Sequence, residues 1–328
     1  MVLVVGGAGY IGSHVLKVLR QRGIDHLVFD NLERGHRSAV LDSRLVVGDL
    51  RNADDLAKVF KDNPQIKTVM HFAAYIEVGE SVQDPAKFYW NNVTGVLMLL
   101  DAMRNAGVGQ FVFSSTAAVY GEPQEVPIPE THPKSPTNPY GDTKLAVERM
   151  LAAFDRAYGL RSVCLRYFNA AGSDPDCVLG EDHRPETHLI PRILLAAAGK
   201  APEITVFGTD YDTPDGTCLR DYVHVMDLAD AHVRAIEALD AGSASDQFNL
   251  GSGNGFSVKE MIAAAEDVVG KPIPVQFGPR RAGDPARLIA SSQKAREILG
   301  WSPQFTDMKD IVGHAWRWMQ ANPNGYPD

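Results

Sequence analysis

The sequence predicts an α/β protein: a doubly wound parallel sheet joined to a smaller, mixed α/β C-terminal lobe. Three observations lead there. Short β-branched runs alternate with helical patterns through the first half, which implies right-handed parallel crossovers. A glycine-rich turn, Gly6-Gly7-Ala8-Gly9-Tyr10-Ile11-Gly12, stands between the first strand and the first helix. The 328-residue chain exceeds the size at which a single core stops growing, so two lobes are expected.

Val2–Val5 reads as the first strand, residues 10–22 as a helix and His26–Asp30 as the second strand. Residues 45–48 and 68–72 and Gln110–Ser114 read as further strands, with helical segments between them. Asn138 followed by Pro139 is a helix start, N-cap then first helical position. A strand at 161–167 follows that helix. Beyond residue 169 the pattern changes: Pro and Gly become frequent, Ile204–Phe207 reads as an isolated strand, and helices are expected at 227–241 and 257–270. The expected division is 1–168 for the doubly wound domain and 169–328 for a lobe that mainly contacts substrate, with some segments able to return to the sheet.

The bulk composition excludes several roles. A net charge of −9 argues against a nucleic-acid partner, because phosphate binding needs a basic face. No apolar run approaches the length of a bilayer span, and no charged leader precedes Val2-Leu3-Val4-Val5, so neither membrane nor secretion is expected. Cys164, Cys177 and Cys218 are scattered and lack metal-type spacing; they suit a reducing cytoplasm, and no metal is expected.

Strand, Gly6-x-x-Gly9-x-x-Gly12, helix reads as a dinucleotide turn: glycines permit the close backbone approach, and the helix N-terminus would face a pyrophosphate, with a ligand-free tight turn as the plainer alternative. Asp30 closes the second strand about twenty residues on, where a carboxylate accepts ribose hydroxyls and repels a 2′-phosphate, favouring NAD over NADP. An Asx turn before Asn31 is the alternative for Asp30, and Arg34 and Arg37 keep NADP open. Asp49 stands where a third strand ends, near the adenine, with helix capping as its alternative. Tyr140 and Lys144 are four apart on one helix face, and Ser114-Ser115-Thr116 ends a strand upstream. A phenol beside an ammonium and the positive end of a helix can act as a base, freeing a hydride for a nicotinamide. A surface Tyr-Lys pair and simple strand-end capping by Thr116 are the plainer readings.

At these residues the chain resembles the extended short-chain dehydrogenase/reductase family, and within it the UDP-glucose 4-epimerase family. The resemblance runs end to end: GGAGYIGSH at 6–14, Phe29-Asp30-Asn31-Leu32, Val78-Gly79-Glu80-Ser81, SSTAAVYG at 114–121 and Arg166-Tyr167-Phe168-Asn169. It continues through Leu219-Arg220-Asp221-Tyr222-Val223-His224-Val225, residues 280–284 and Asn324-Gly325-Tyr326-Pro327-Asp328. It implies a tightly held NAD that is reduced and reoxidised in each turnover, with Tyr140 deprotonating the sugar O4, a transient 4-keto sugar that turns over, and hydride return to its opposite face. It also implies NAD contacts at Gly6, Gly9, Tyr10, Ile11, Gly12, Asp30, Asn31, Asp49, Leu50, Phe72, Ala73, Ala74, Asn91, Tyr140, Lys144 and Phe168. Contacts to the UDP-sugar are implied at Thr116, Tyr140, Asn169, Leu189, Arg220, Arg281 and Asp284, with Arg280 an alternative clamp.

Two positions depart from the family pattern. Ile76 stands where a lysine often lies near the cofactor phosphates, which bears on how firmly NAD is retained. Leu288 is intermediate in size at a sugar-facing position, so UDP-N-acetylglucosamine is a second candidate substrate. A UDP-xylose or UDP-glucuronate epimerase would share the C4 chemistry. A 4,6-dehydratase would need an Asp-Glu pair after Thr116, where this chain has Ala117-Ala118. A non-catalytic NAD-binding scaffold would need none of Thr116, Tyr140 and Lys144, and a net reductase would exchange free cofactor. A homodimer is expected, its helices near 92–105 and 140–158 pairing through Val96, Leu99, Leu100, Met150 and Leu151, unless those residues are buried within one chain.

Overall fold

Val2–Val5 is apolar at every position, as a strand covered on both faces requires. Its side chains alternate: Val2 and Val4 enter one buried cluster with Val28, Met70 and Val163, while Leu3 and Val5 enter another with Phe29, Val69 and Phe111. The computed structural model describes residues 1–281 and 284–327, so Ala282, Gly283 and Asp328 of the motifs above lie outside the described residues. Among the described residues, seven strands form one sheet in the order Asp246–Asn249, Arg161–Arg166, Gln110–Ser114, Thr68–His71, Val2–Val5, His26–Asp30, Leu45–Val47. Every pairing in it is parallel. The chain winds outward from Val2–Val5 in one direction, then returns to Thr68–His71 on its other side. That reversal leaves a crevice at the carboxyl ends of these two strands, where ligands bind in open α/β sheets.

The C-terminal half does not stay apart. Helix Val225–Asp240 packs Leu228, Ala231 and Val233 into the cluster that holds Val15, Leu16 and Leu19 of helix Tyr10–Gln21. Asp246–Asn249 then pairs with Arg161–Arg166 as the seventh strand. Its sequence, Asp-Gln-Phe-Asn, has no β-branched residue and gave no strand signal. Ile204–Phe207 is not isolated as expected; it pairs in parallel with Val275–Gly278. Both strands flank a separate core of Ile190, Ile193, Met261 and Ile311. No described helix is long and apolar enough to cross a membrane. Val96, Leu99, Leu100 and Leu151 are buried inside the monomer, with Met150 packed beside them, so they do not form a free pairing face. Their stripe faces the sheet.

A buried polar chain joins the two ends of this architecture. Glu148, on helix Pro139–Tyr158, receives two hydrogen bonds from the fully buried Arg166, Nε to Oε1 at 2.8 Å and a terminal nitrogen to Oε2 at 2.6 Å. Arg166 also donates to the Tyr120 hydroxyl at 2.8 Å, which donates to Asn249 Oδ1 at 2.7 Å; Asn249 Nδ2 then reaches the Ile128 carbonyl. Ser115 donates to Glu148 Oε1 at 2.7 Å. Removing one partner of such a pair leaves an uncompensated charge in the interior. Arg166→Met is therefore expected to lower unfolding free energy by about 3–5 kcal/mol, read from urea denaturation; a loss below about 1 kcal/mol would show that Glu148 finds another partner or water.

Candidate active site

A cavity of about 540 Å³ opens at the sheet's switch point, lined by the glycine turn, the loops after the strands and the start of helix Pro139–Tyr158. The glycines explain its shape. A Cβ added at Gly6, which has φ +79°, would stand 2.4 Å from the Ala73 nitrogen, and one at Gly12 would stand 2.3 Å from the Gly6 carbonyl oxygen. Gly6 thus seats the turn against the loop after Thr68–His71, and Gly12 seats the helix on the turn. Gly9 differs: an added Cβ there meets nothing nearer than Gly6 oxygen at 3.5 Å, and the residue lines the cavity. That space opens onto the cavity. Gly9 caps helix Tyr10–Gln21 with no side-chain bond, and no acid lies in its first turn. Its free N–H groups suit an anion such as a diphosphate.

Asp30 is buried, and its two oxygens accept the Ala8 and Leu32 N–H groups, each at 2.9 Å. The Leu32 bond is the Asx turn considered as an alternative, yet Asp30 and Asn31 both line the cavity. Burial raises its pKa, opposed by those two backbone bonds. Asp49 lines the cavity and accepts the Arg51 Nε at 2.8 Å and Asn31 Nδ2 at 3.1 Å. The Arg51 hydrogen bond holds its carboxyl well below the usual range. Helix capping is not its task, because Asn52 caps Ala53–Asp62. Arg34 also faces the cavity, within 3.8 Å of Glu77, while Ile76 lines the same wall.

The chemistry-bearing residues converge as expected, with a different electrostatic arrangement. Asn138 Oδ1 accepts the Gly141 N–H at 2.9 Å, and Pro139 occupies the first turn, so Tyr140 sits at the helix start. A Cβ at Gly141 would be 2.8 Å from the Ala118 carbonyl oxygen; glycine lets the helix come that close. Thr116 Oγ1 caps the next turn by accepting Ala118 N–H at 3.1 Å, and it also hydrogen-bonds Tyr140. Lys144 donates to the Ser114 carbonyl at 2.7 Å rather than to the phenol, and its ammonium stands 4.8 Å from the centre of the Phe113 ring. Burial pushes the Tyr140 phenol up to about 12, against the Thr116 bond and with the help of the Glu77 charge. Burial likewise pulls Lys144 down to about 7, opposed by Glu148 one helical turn on. The enclosed site favours the neutral form of both groups.

Toward the second lobe, Phe168 and Asn169 line the cavity, and Asn169 Nδ2 donates to the Asp221 carbonyl at 2.9 Å. Arg220 and Asp284 line it as a mutual ion pair at 2.7 Å. Leu288 lines it beside Phe168, and both pack against Ala117, Tyr120 and Ile128. Leu50, Phe72, Ala73, Ala74, Asn91, Tyr10 and Ile11 complete the expected set on the wall. Two expected residues stand off it. Leu189 opens helix Leu189–Ala197 and packs into the C-terminal core; Arg281 is exposed, its guanidinium 4.1 Å from the Phe207 ring centre. Arg280 pairs with Asp210 at 2.7 Å.

The sequence reading missed Glu181, His183, His188 and Tyr326 on the same wall. The repeated Glu-x-His spacing at 181–183 and 186–188 was the available signal. Tyr326 is drawn in from the chain's far end: it stacks on His36 at 4.9 Å between centroids and accepts the Gly180 N–H at 3.0 Å.

Known proteins repeat this arrangement over the whole chain. The UDP-glucose 4-epimerase of Halalkalibacterium halodurans is 53% identical over 325 residues, covering 99% of this chain and 97% of that protein. A crystal structure of a UDP-glucose 4-epimerase superposes with a TM-score of 0.98 at 51% identity, covering 100% of this chain and 99% of that one. The Brucella ovis UDP-glucose 4-epimerase, solved in complex with NAD, gives 0.94 at 49% identity, with 96% and 97% covered. A family model described as the NAD dependent epimerase/dehydratase family matches residues 2–251. The chain belongs to the NAD dependent epimerase/dehydratase family.

Proposed function

We infer that this protein is an NAD-dependent C4 epimerase of UDP-hexoses, interconverting UDP-glucose and UDP-galactose through a transient 4-keto sugar. The observation that carries the reading is the meeting of Thr116, Tyr140 and Lys144 with the glycine turn in one cavity. Ala117 and Ala118 line that cavity beside Thr116, so the proton donor a dehydratase needs there is missing. In this reading Gly6, Gly9, Tyr10, Ile11 and Gly12 hold the NAD diphosphate at the helix N-terminus, Asp30 and Asn31 the ribose, and Asp49, Leu50, Phe72, Ala73, Ala74 and Asn91 the remaining cofactor contacts. Asn169, Arg220 and Asp284 serve the nucleotide sugar, Arg220 exchanging its hold on Asp284 for the diphosphate. Leu189 and Arg281 serve it less directly. Residues 1–168 act mainly on cofactor and 169–328 mainly on substrate, although helix Val225–Asp240 and strand Asp246–Asn249 complete the first domain.

Tyr140 takes the O4 proton while Thr116 hydrogen-bonds the reacting oxygen. Bound NAD supplies the hydride acceptor and donor and, when oxidised, a positive charge. Bringing the phenol from about 12 to near neutrality requires about 7 kcal/mol of preferential phenolate stabilisation. Thr116, the helix dipole and Lys144 would each contribute part, and an oxidised nicotinamide, when bound, would add a positive charge in an enclosed cavity where charges are poorly screened.

Tyr140→Phe is expected to cost roughly 10²–10⁴-fold in turnover while leaving bound NAD in place. The assay incubates the purified protein with UDP-galactose and no added cofactor. Formation of UDP-glucose supports the reading; no UDP-glucose even with added NAD, or undiminished turnover in the variant, would refute it. Leu288 on the wall leaves more room than a tyrosine, so the same assay is expected to convert UDP-N-acetylglucosamine, and no conversion would limit the substrate to the plain hexoses.

Lys144 links the site to stability. It titrates near 10.5 in an unfolded chain and near 7 here, so between those values the unfolded state carries the additional proton. Stability therefore rises with pH across that window, by up to about 1.4 kcal/mol per pH unit; below it both states are protonated and the buried charge is a constant cost. Lys144→Met should flatten that rise in urea unfolding, and an unchanged slope would mean that Lys144 stays charged when buried.

The protein is proposed to be a homodimer. Trp90 and Leu97 are exposed at 58% and 45%, on the outer side of the segment whose inner stripe is buried. Light scattering should return twice the chain mass, and Leu97→Glu should shift it toward the monomer; a monomeric mass for the unmodified protein would refute it.

A further inference from the structure

Residues 181–188 read Glu-Asp-His-Arg-Pro-Glu-Thr-His, and the two Glu-x-His units fold onto each other beside the cavity. The rings of His183 and His188 lie 4.8 Å apart between centroids. One donor atom from each of Glu181, His183, Glu186 and His188 lies within 4.8 Å of the other three. We propose that these four side chains form a binding site for a zinc-class divalent cation on the wall of the cleft.

The distances carry the proposal. His183 Nδ1 is 3.2 Å from Glu181 Oε1 and 3.6 Å from Glu186 Oε2. His188 Nδ1 is 3.1 Å from Glu181 Oε1 and 3.0 Å from Glu186 Oε1. A tetrahedral centre with bonds of about 2.0–2.1 Å has ligand–ligand edges of about 3.3–3.4 Å. The four nitrogen–oxygen separations bracket that edge, and closing the remaining pairs, which lie within 4.8 Å, would bring the donors to one centre.

The burial and placement of the donors suit a cation shared by the four side chains. His183 Nδ1 is shielded from solvent and stands between oxygens of both glutamates. A position between two carboxylates is also where a cation shared with them would be bound. The Glu181 side chain is 7% exposed and that of Glu186 11%, so two carboxylates are withdrawn from water and need positive charge at close range. The surroundings fix the donors. His188 N–H holds Glu186 Oε1 at 2.7 Å, and the Tyr10 ring meets the His183 ring edge-on at 6.1 Å. His188 Nδ1 also hydrogen-bonds Glu186 Oε1 at 3.0 Å; a bound cation replaces that bond, releasing any proton it carries to solvent. Two imidazole nitrogens favour zinc, cobalt or nickel over magnesium or calcium, which prefer all-oxygen shells.

The test reads metal content rather than turnover, so its outcome is independent of the epimerase reading. The purified full chain is stripped with a chelator, desalted and titrated with Co²⁺ as spectroscopic probe, then with Zn²⁺ as competitor. The expected result is visible absorption of tetrahedral intensity saturating at one Co²⁺ per chain and bleached by one equivalent of Zn²⁺. His183→Gln and His188→Gln should each weaken Zn²⁺ binding at least tenfold, and His26→Gln, whose ring bonds Ser43, should not. Circular dichroism checks that the variants fold; Glu181→Gln and Glu186→Gln give a second pair if either histidine variant does not. No saturable binding at one ion per chain, or binding untouched by these variants in folded protein, would overturn the proposal.

Discussion

Glu148 and Arg166 form the contact on which the rest of the site depends. Tyr140, Lys144 and Glu148 follow one another at four-residue intervals on a single helix, so fixing Glu148 fixes the rotation of all three. Arg166 grips both carboxylate oxygens from the sixth strand of the sheet and reaches Tyr120 beyond the fifth, while Asn249 of the seventh strand secures Tyr120. The helix cannot roll without breaking bonds on three strands' worth of backbone. Such a pair is weak support for stability as such, because desolvation offsets its attraction. Its value here is positional.

That rigidity holds Tyr140 and Lys144 in a cavity that favours the neutral form of each. Withdrawn from water, the phenol holds its proton and the amine sheds one. Lys144 occupies itself with the Ser114 carbonyl, and Thr116 with both Ala118 and Tyr140. The same walls that raise the phenol's pKa also strengthen every attraction the phenolate makes once formed.

The second lobe reaches the site through short pieces rather than through one surface. Leu219–Arg220 pairs with Phe256–Ser257 on one side and Arg287–Leu288 on the other, which carries Arg220 and Leu288 to the wall. The C-terminal Gly325-Tyr326 folds back onto residues 180–182: Tyr326 N–H donates to Asp182 at 2.9 Å, and a Cβ on Gly325 would collide with the Asp182 carboxylate. Through His36 the same tyrosine touches the cofactor half. The 181–188 segment is held from both lobes.

By itself the sequence determined whatever depends on neighbours along the chain. Continuous apolar runs marked the first six strands, with ends displaced by one residue at Val47, His71 and Arg166. Asn138-Pro139 marked the start of helix Pro139–Tyr158, and glycine spacing marked the turn, because capping and tight turns are local. Only tertiary structure decided the rest. Asp246–Asn249 became a strand through pairing with Arg161–Arg166, since its own residues carry little β preference. Arg220 met Asp284 and Glu148 met Arg166 because the fold closed loops of 64 and 18 residues. The partner chosen by Lys144 and the burial that moves its proton depend on what packs around it. Periodicity states that a side chain faces inward; which atom it finds there is settled by the whole chain.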